Sequence, residues 1–197
     1  AGIDVPRGHA GEVIGRSANM MNGYLNRPED TDALLFTSDD GTLFFRSGDY
    51  GRLDEDGFLH LLDRKKDVII SGGFNVYATD LEAALASHPD VAECAVLGIK
   101  DAIKGEIPCG LIVLKAGVTR PPAEIEKEIV ALVREKLGPV AAFKLAITVA
   151  RLPKTRSGKI LRGTIRKIAD GDPWTVPATI EDPKVLDEIG AALKGRV

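Results

Sequence analysis

Cysteine and histidine are scarce in this chain: Cys94 and Cys109, with His9, His60 and His88, are all it has in 197 residues. Two cysteines allow at most one disulfide, and the scattered histidines have no ligand spacing between them. Both cysteines sit in apolar, strand-like runs, which predicts buried free thiols rather than a disulfide or a metal centre. Long hydrophobic runs are missing as well. No window approaches 18 apolar residues, so the sequence predicts no membrane span. An excess of positive charge is also lacking: 26 Lys and Arg against 29 Asp and Glu leave a formal net charge of −3. A chain so balanced lacks the basic face that non-specific nucleic-acid binding requires. Finally, "AGIDVPRG" has neither an initiator methionine nor a basic-then-apolar signal region, and it reads as a chain entered midway.

What is present divides near residue 63. Residues 1–63 are dense in glycine and aspartate, and the runs "GEVIGR", "TLFFRSG" and "GFLHLLD", bounded by "DDG" and "EDG", read as hairpin strands. From residue 64 the pattern changes. "DVIIS" reads as a strand, and "TDLEAALASH" as a helix opened by a Thr79-x-x-Glu82 capping box. "VAECAVLGI" and "IPCGLIVLK" are strands joined by a polar turn. "PPAEIEKEIVALVREKLG" places Ile125, Ile129, Val133 and Leu137 on one helical stripe and ends at Gly138. "LAITVA" is a further strand, and "ILRGTIRKIAD" and "PKVLDEIGAALKG" read as surface helices. The expected class is α+β: a small mobile domain with a central sheet flanked by helices (64–197), preceded by the β-rich edge of a larger domain (1–63).

Two stretches suggest chemistry. "LPKTRSGKILR" crowds Lys154, Arg156, Lys159 and Arg162 around Thr155, Ser157 and Gly158. Backbone N–H groups near Gly158, two hydroxyls and several cations could surround a phosphate. A solvated basic loop, or a plain helix start, accounts for the same residues. It is not a Walker A loop, because Pro153 and Ile160 stand where that motif needs glycine and a hydroxyl residue. The second stretch runs from Arg46 to Asn75. Asp49 ends a strand where a carboxylate could accept two ribose hydroxyls, Arg64 to Lys66 form a basic boundary, and "SGG" (71–73) would let backbone approach a ligand.

Taken in order, "RSGDYG…DEDGFLHLLDRKKDVIISGGFNVY…HPDVAECAVLG…PKTRSGKILR" closely resembles the C-terminal portion of the adenylate-forming enzymes, the acyl-CoA synthetase branch above all. The tail resembles acetyl- and propionyl-CoA synthetases, whereas "DRKKDVIISGGFNVY" is more similar to medium-chain or malonyl-CoA ligases. The resemblance implies ATP, Mg2+ and CoA as cofactors, a carboxylic acid as substrate, the rest of the same enzyme as an N-terminal partner domain, and a cytoplasmic setting. It implies that Asp49 and Arg64 hold ATP or AMP, that Lys66 is the hinge, and that Lys159 is the catalytic adenylation lysine. Gly72, Gly73 and Arg134 fall at CoA contacts, and Ala86, His88 and Val91 where some relatives bind a cation. Asn75 replaces an arginine of acetyl-CoA synthetases. An exposed Lys159 would also suit a lysine acetyltransferase and its opposing deacetylase. A carrier-protein-loading adenylation unit and a non-catalytic nucleotide- or CoA-binding module are the alternatives.

Overall fold

Glycine and aspartate turns cut the first part of the chain into short antiparallel strands, and the longest of them organises the rest. In the computed structural model, which describes residues 4–197, the chain falls into two compact units, one ending at Lys66 and the other Asp67–Val197. The first unit is a four-stranded sheet. Strand β3 (Leu43–Leu53) pairs antiparallel with β1 (Gly11–Gly15), with β2 (Leu35–Thr37) and with β4 (Leu59–Arg64). A short helix, α1 (Pro28–Leu34), feeds β2 and was not legible as a helix; Pro28 at its first turn and Glu29 and Asp30 behind it are the start signals.

The second unit is three-layered. Its sheet is centred on β8 (Gly105–Leu114), which pairs along its length with the antiparallel β7 (Val91–Asp101). On the other side of β8, Gly105 meets β5 (Ile69–Ser71), and Cys109–Ile112 run parallel to β9 (Leu145–Thr148). Strand β6 (Phe74–Val76) closes a hairpin with β5. Both faces are covered, which is why β7 and β8 read as continuous apolar runs. On one face, Val96 and Ile112 pack with Leu81 and Leu85 of α2 (Ala78–Ala86) and with Ile125, Ile129 and Val133 of α3 (Pro122–Leu137). On the other, Ala95, Leu97, Cys109 and Leu111 pack with Ile165 of α4 (Arg162–Ala169) and with Val185 and Ile189 of α5 (Lys184–Leu193). Adjacent residues of one strand thus serve opposite cores.

Several expectations are corrected. The last two helices are not surface elements: Ile165, Leu186 and Ile189 are fully buried. Leu137, assigned to the α3 stripe, is half exposed at the helix end, one turn beyond the last core position, Val133. No capping box forms at α2. The helix starts at Ala78 after Tyr77, without a side-chain cap, and Glu82 instead accepts the Val96 N–H at 2.8 Å. Both cysteines are free thiols, but only Cys109 is fully buried; burial pushes its thiol up to about 12. Cys94 is partly exposed on β7, its thiol raised to about 11 by burial and then by the nearby Glu82 carboxylate.

The edges of this sheet are closed by side chains, as edge strands require. On β7 the outward N–H groups of Val96 and Lys100 go to Glu82 and to Asp170 (2.8 Å each). On β9 the Thr148 N–H donates to Glu126 at 2.7 Å, and Arg196 donates to the Ala146 carbonyl at 3.2 Å and to Glu126 at 2.7 Å.

Candidate functional site

The basic loop is a small hairpin. Lys154 and Ile160 form an antiparallel bridge, Thr155 N–H donates to the Lys159 carbonyl at 2.8 Å, and Gly158 N–H donates to the Thr155 carbonyl at 2.8 Å. Gly158 has φ +82°, the left-handed residue that ends a three-residue hairpin loop. Thr155 Oγ1 accepts the Lys159 N–H at 3.1 Å and lies 3.0 Å from the Ser157 hydroxyl. A second strand-like segment braces the outer side: Arg156 N–H donates to the Thr179 carbonyl, Glu181 N–H donates to Lys154, and Ile180 is buried.

This geometry corrects the phosphate-cradle expectation. The N–H groups of Thr155, Gly158 and Lys159 are spent within the hairpin and that of Arg156 on Thr179 of the bracing segment, so the loop is no nest of free backbone donors. Nor is it a loosely held loop. What it offers is charge, and only half of it. Lys154 pairs with Glu93 at 2.7 Å and Arg162 with Glu82 at 2.6 Å. Arg156 and Lys159, in the turn itself, are exposed and have no carboxylate within ion-pair distance among the described residues.

Asp49 and Arg64, fifteen positions apart, are brought together as directly opposed residues of β3 and β4, with Arg64 Nε 3.3 Å from Asp49 Oδ1. Gly48, with φ +73°, kinks β3 just before Asp49, and its carbonyl accepts the Lys65 N–H at 2.8 Å. Lys66 is the last residue of the first unit, in an exposed turn.

Gly72 and Gly73 form the two-residue turn between β5 and β6. Their φ values, +58° and +84°, are both positive, as a type I′ turn demands. A Cβ at either position would meet nothing within 4 Å, so these glycines are required by backbone conformation within this chain. Asn75 is exposed on β6, paired with Ile70. Arg134 is exposed in the last turn of α3, where a cation complements the helix dipole.

The turn after α2 is tightly bonded. His88 is buried, its Nδ1 accepts the Asp90 N–H at 3.2 Å, and its Nε2 lies 3.2 Å from Glu128. Its carbonyl accepts the Val91 N–H, and its own N–H donates to Leu85. Accepting at Nδ1 leaves the proton on Nε2, directed at Glu128. No group of three or more His, Cys, Asp or Glu able to hold a metal is found among the described residues, and Ala86, His88 and Val91 would have to offer main-chain oxygens.

Sequence reasoning missed the carboxylates behind the loop. Glu82 carries the spacing of a capping residue, and nothing local distinguishes Glu93. Nothing periodic marks either, because their partners lie 80 and 61 residues away.

Residues 80–159 match the model of the AMP-binding enzyme C-terminal domain. It is 47% identical over 146 residues to the mitochondrial acyl-CoA synthetase short-chain family member B of Dictyostelium discoideum, covering 74% of this chain and 21% of that protein. It is 38% identical over 189 residues to the acetyl-coenzyme A synthetase of Pyrobaculum arsenaticum, covering 95% of this chain and 28% of the relative. Among solved structures, ATP-bound MatB from Rhodopseudomonas palustris superposes with a TM-score of 0.71 at 34% identity, over 83% of this chain and 31% of that one. The chain thus spans about a quarter of the length of the curated relatives it matches. Among the described residues no helix is long and apolar enough to cross a membrane.

Proposed function

We propose that this chain is the C-terminal part of an ATP-dependent acyl-CoA synthetase that activates a short- or medium-chain carboxylic acid as its acyl-adenylate and transfers the acyl group to CoA. The observation that carries the reading is the state of Lys159: an exposed ammonium, on a braced hairpin, left unpaired while its neighbours Lys154 and Arg162 are neutralised. As the acid's carboxylate attacks the α-phosphate, negative charge gathers on the phosphorus oxygens and pyrophosphate leaves. A point cation held there stabilises the transition state more than the ground state.

In this reading Asp49 accepts the ribose hydroxyls of ATP, and Arg64 orients that carboxylate and reaches ribose or phosphate. Mg2+ enters with ATP, carried by the phosphates in place of a protein cage. Lys66, at the division between the units, serves as the hinge on which the second unit turns between adenylation and thioester formation. The Gly72–Gly73 turn and Arg134 lie toward CoA. The division of the chain into two compact units at Lys66 supports the hinge reading, and so does the likeness to acyl-CoA synthetases that are about three and a half times as long.

The test is Lys159→Ala in the full-length enzyme. Adenylation, followed by pyrophosphate exchange, is expected to fall on the order of a hundred- to a thousandfold, the scale of one preorganised electrostatic contact. Thioester formation from synthetic acyl-adenylate is expected to survive. A loss of both half-reactions together, or of neither, would make Lys159 a structural cation and defeat the reading.

A further inference from the structure

The hairpin bearing Lys159 is fastened at both ends to the outer edge of one strand. At its entry, Lys154 Nζ donates to both oxygens of Glu93, at 2.8 and 2.7 Å, and Glu93 belongs to β7. At its exit, Arg162 donates through Nη2 at 2.6 Å and Nε at 3.3 Å to Glu82 Oε1. That same oxygen accepts the Val96 N–H of β7 at 2.8 Å, so Glu82 ties the start of α4 to the strand edge from across the sheet. Arg162 and Glu82 are largely buried there, with side chains 29% and 20% exposed, so the pair is less screened than a surface one.

Two consequences follow. Loops are positioned by what anchors their ends, and these anchors lie outside the hairpin's own hydrogen bonds. The same two carboxylates also cancel the flanking cations, so an anion arriving at the loop meets positive charge only at Arg156 and Lys159.

We infer that Glu82 and Glu93 are positioning residues for Lys159: they set where its ammonium stands and keep the substrate's phosphates from being captured by Lys154 or Arg162. This rests on the proposed reading of Lys159 as the adenylation lysine. Neither carboxylate touches substrate. Without Glu82, the Arg162 guanidinium becomes a free bidentate phosphate binder a few residues from the intended cation. ATP would still bind, in a register that does not react.

The experiment uses the full-length enzyme. Glu82→Gln keeps an acceptor for Val96 N–H but removes the charge. Its kcat for adenylation by pyrophosphate exchange is expected to fall about ten- to a hundredfold, the effect of a misplacement of roughly an ångström, with the KM for ATP not raised. Thioester formation from synthetic adenylate is expected to stay within about twofold. Placed on Lys159→Ala, the same change is expected to cost nothing further, because the two act through one group. On the exposed side, Glu93→Lys is expected to lower adenylation, and Lys154→Glu added to it to restore most of the loss, a rescue that general loss of structure would not show.

The inference is overturned if Glu82→Gln lowers both half-reactions equally at an unchanged thermal midpoint, if its effect persists in full on Lys159→Ala, or if adenylation is untouched. Should Glu82→Gln fail to fold, the Glu93–Lys154 swap decides alone, and absence of rescue overturns the inference. If Lys159→Ala itself spares adenylation, it is the proposed function that fails. If Lys159→Ala abolishes adenylation while the glutamate variants and the swap leave it intact, only the positioning role fails.

Discussion

The two units are built from the same alphabet and hold together differently. In Asp67–Val197 each face of the sheet is buried under a pair of helices, and residues such as Leu81, Leu85, Ile129 and Ile189 have no exposed surface. In the unit ending at Lys66, Gly51 alone is buried among the described residues, while Phe58, Leu59, Leu61 and Tyr24 are exposed. What holds that sheet is backbone pairing and polar contact: Glu12 takes Arg46 at 2.7 Å and Lys65 at 2.9 Å, and Ser47 donates to the Val13 carbonyl at 2.8 Å. With so little surface buried among the described residues, this sheet is short of the main favourable term in folding. The second unit carries its own core; the first sets Asp49 and Arg64 opposite one another on β3 and β4.

The largest expected effect lies in amide exchange. Central β7 and β8 amides should exchange at least about a thousandfold more slowly than those of β1 and β4, because the former open only with global unfolding and the latter by local opening. Equal protection measured by hydrogen–deuterium exchange would erase the distinction between the units.

Next comes a pair of truncations read by urea denaturation. Leu81→Ala should destabilise the second unit by about 2–5 kcal/mol, the usual cost of emptying a filled core site. Leu59→Ala, at a half-exposed site on β4, should stay within about 0.5 kcal/mol. Similar losses would show that the first unit has a core after all.

A smaller effect separates the two kinds of carboxylate pairing. Burial pushes the Glu126 carboxyl up, but hydrogen bonds and charge from Arg196 and the Thr148 N–H outweigh it and hold the group below its ordinary value. A depressed folded-state value stabilises above the unfolded one, and that contribution disappears as pH falls through the folded value. Stability of the second unit should therefore decline below about pH 4.5, and Glu126→Gln should flatten that decline. An unchanged acid limb in the variant would place the acid sensitivity elsewhere. Asp54, whose carboxyl is lowered first by His60, is an exposed pair on the first unit, and its removal should leave the acid limb of the second unit unmoved.

A modest effect belongs to the β5–β6 turn. Gly73→Ala should cost about 1–2 kcal/mol from left-handed backbone alone, since a Cβ there meets nothing within 4 Å. A loss well beyond that in thermal unfolding would reveal a clash hidden from this chain's own contacts.

Much was legible in one dimension because the signals are local. Glycine after a polar turn, apolar residues at helical spacing in "AEIEKEIVALV" and uninterrupted apolar runs in β7 and β8 each encode a short-range preference, and the core positions Ile125, Ile129 and Val133 follow from spacing. The cation cluster and the Asp49 and Arg64 positions were equally readable, as motif and as resemblance. The misses share a cause. Glu82 carries a correct capping spacing from Thr79, yet its carboxylate goes to Val96 and Arg162, because an unpaired edge N–H beside a half-buried guanidinium outbids a local cap.

The sequence by itself determined the periodicities, the turns that need left-handed glycine and the concentration of charge around Lys159. Tertiary structure alone decided which of those charges remain free. Whether a cation is neutralised depends on a carboxylate arriving from a distant strand or helix, as Glu93 reaches Lys154 and Glu82 reaches Arg162, and Coulomb attraction acts on separation in space, which sequence separation does not encode.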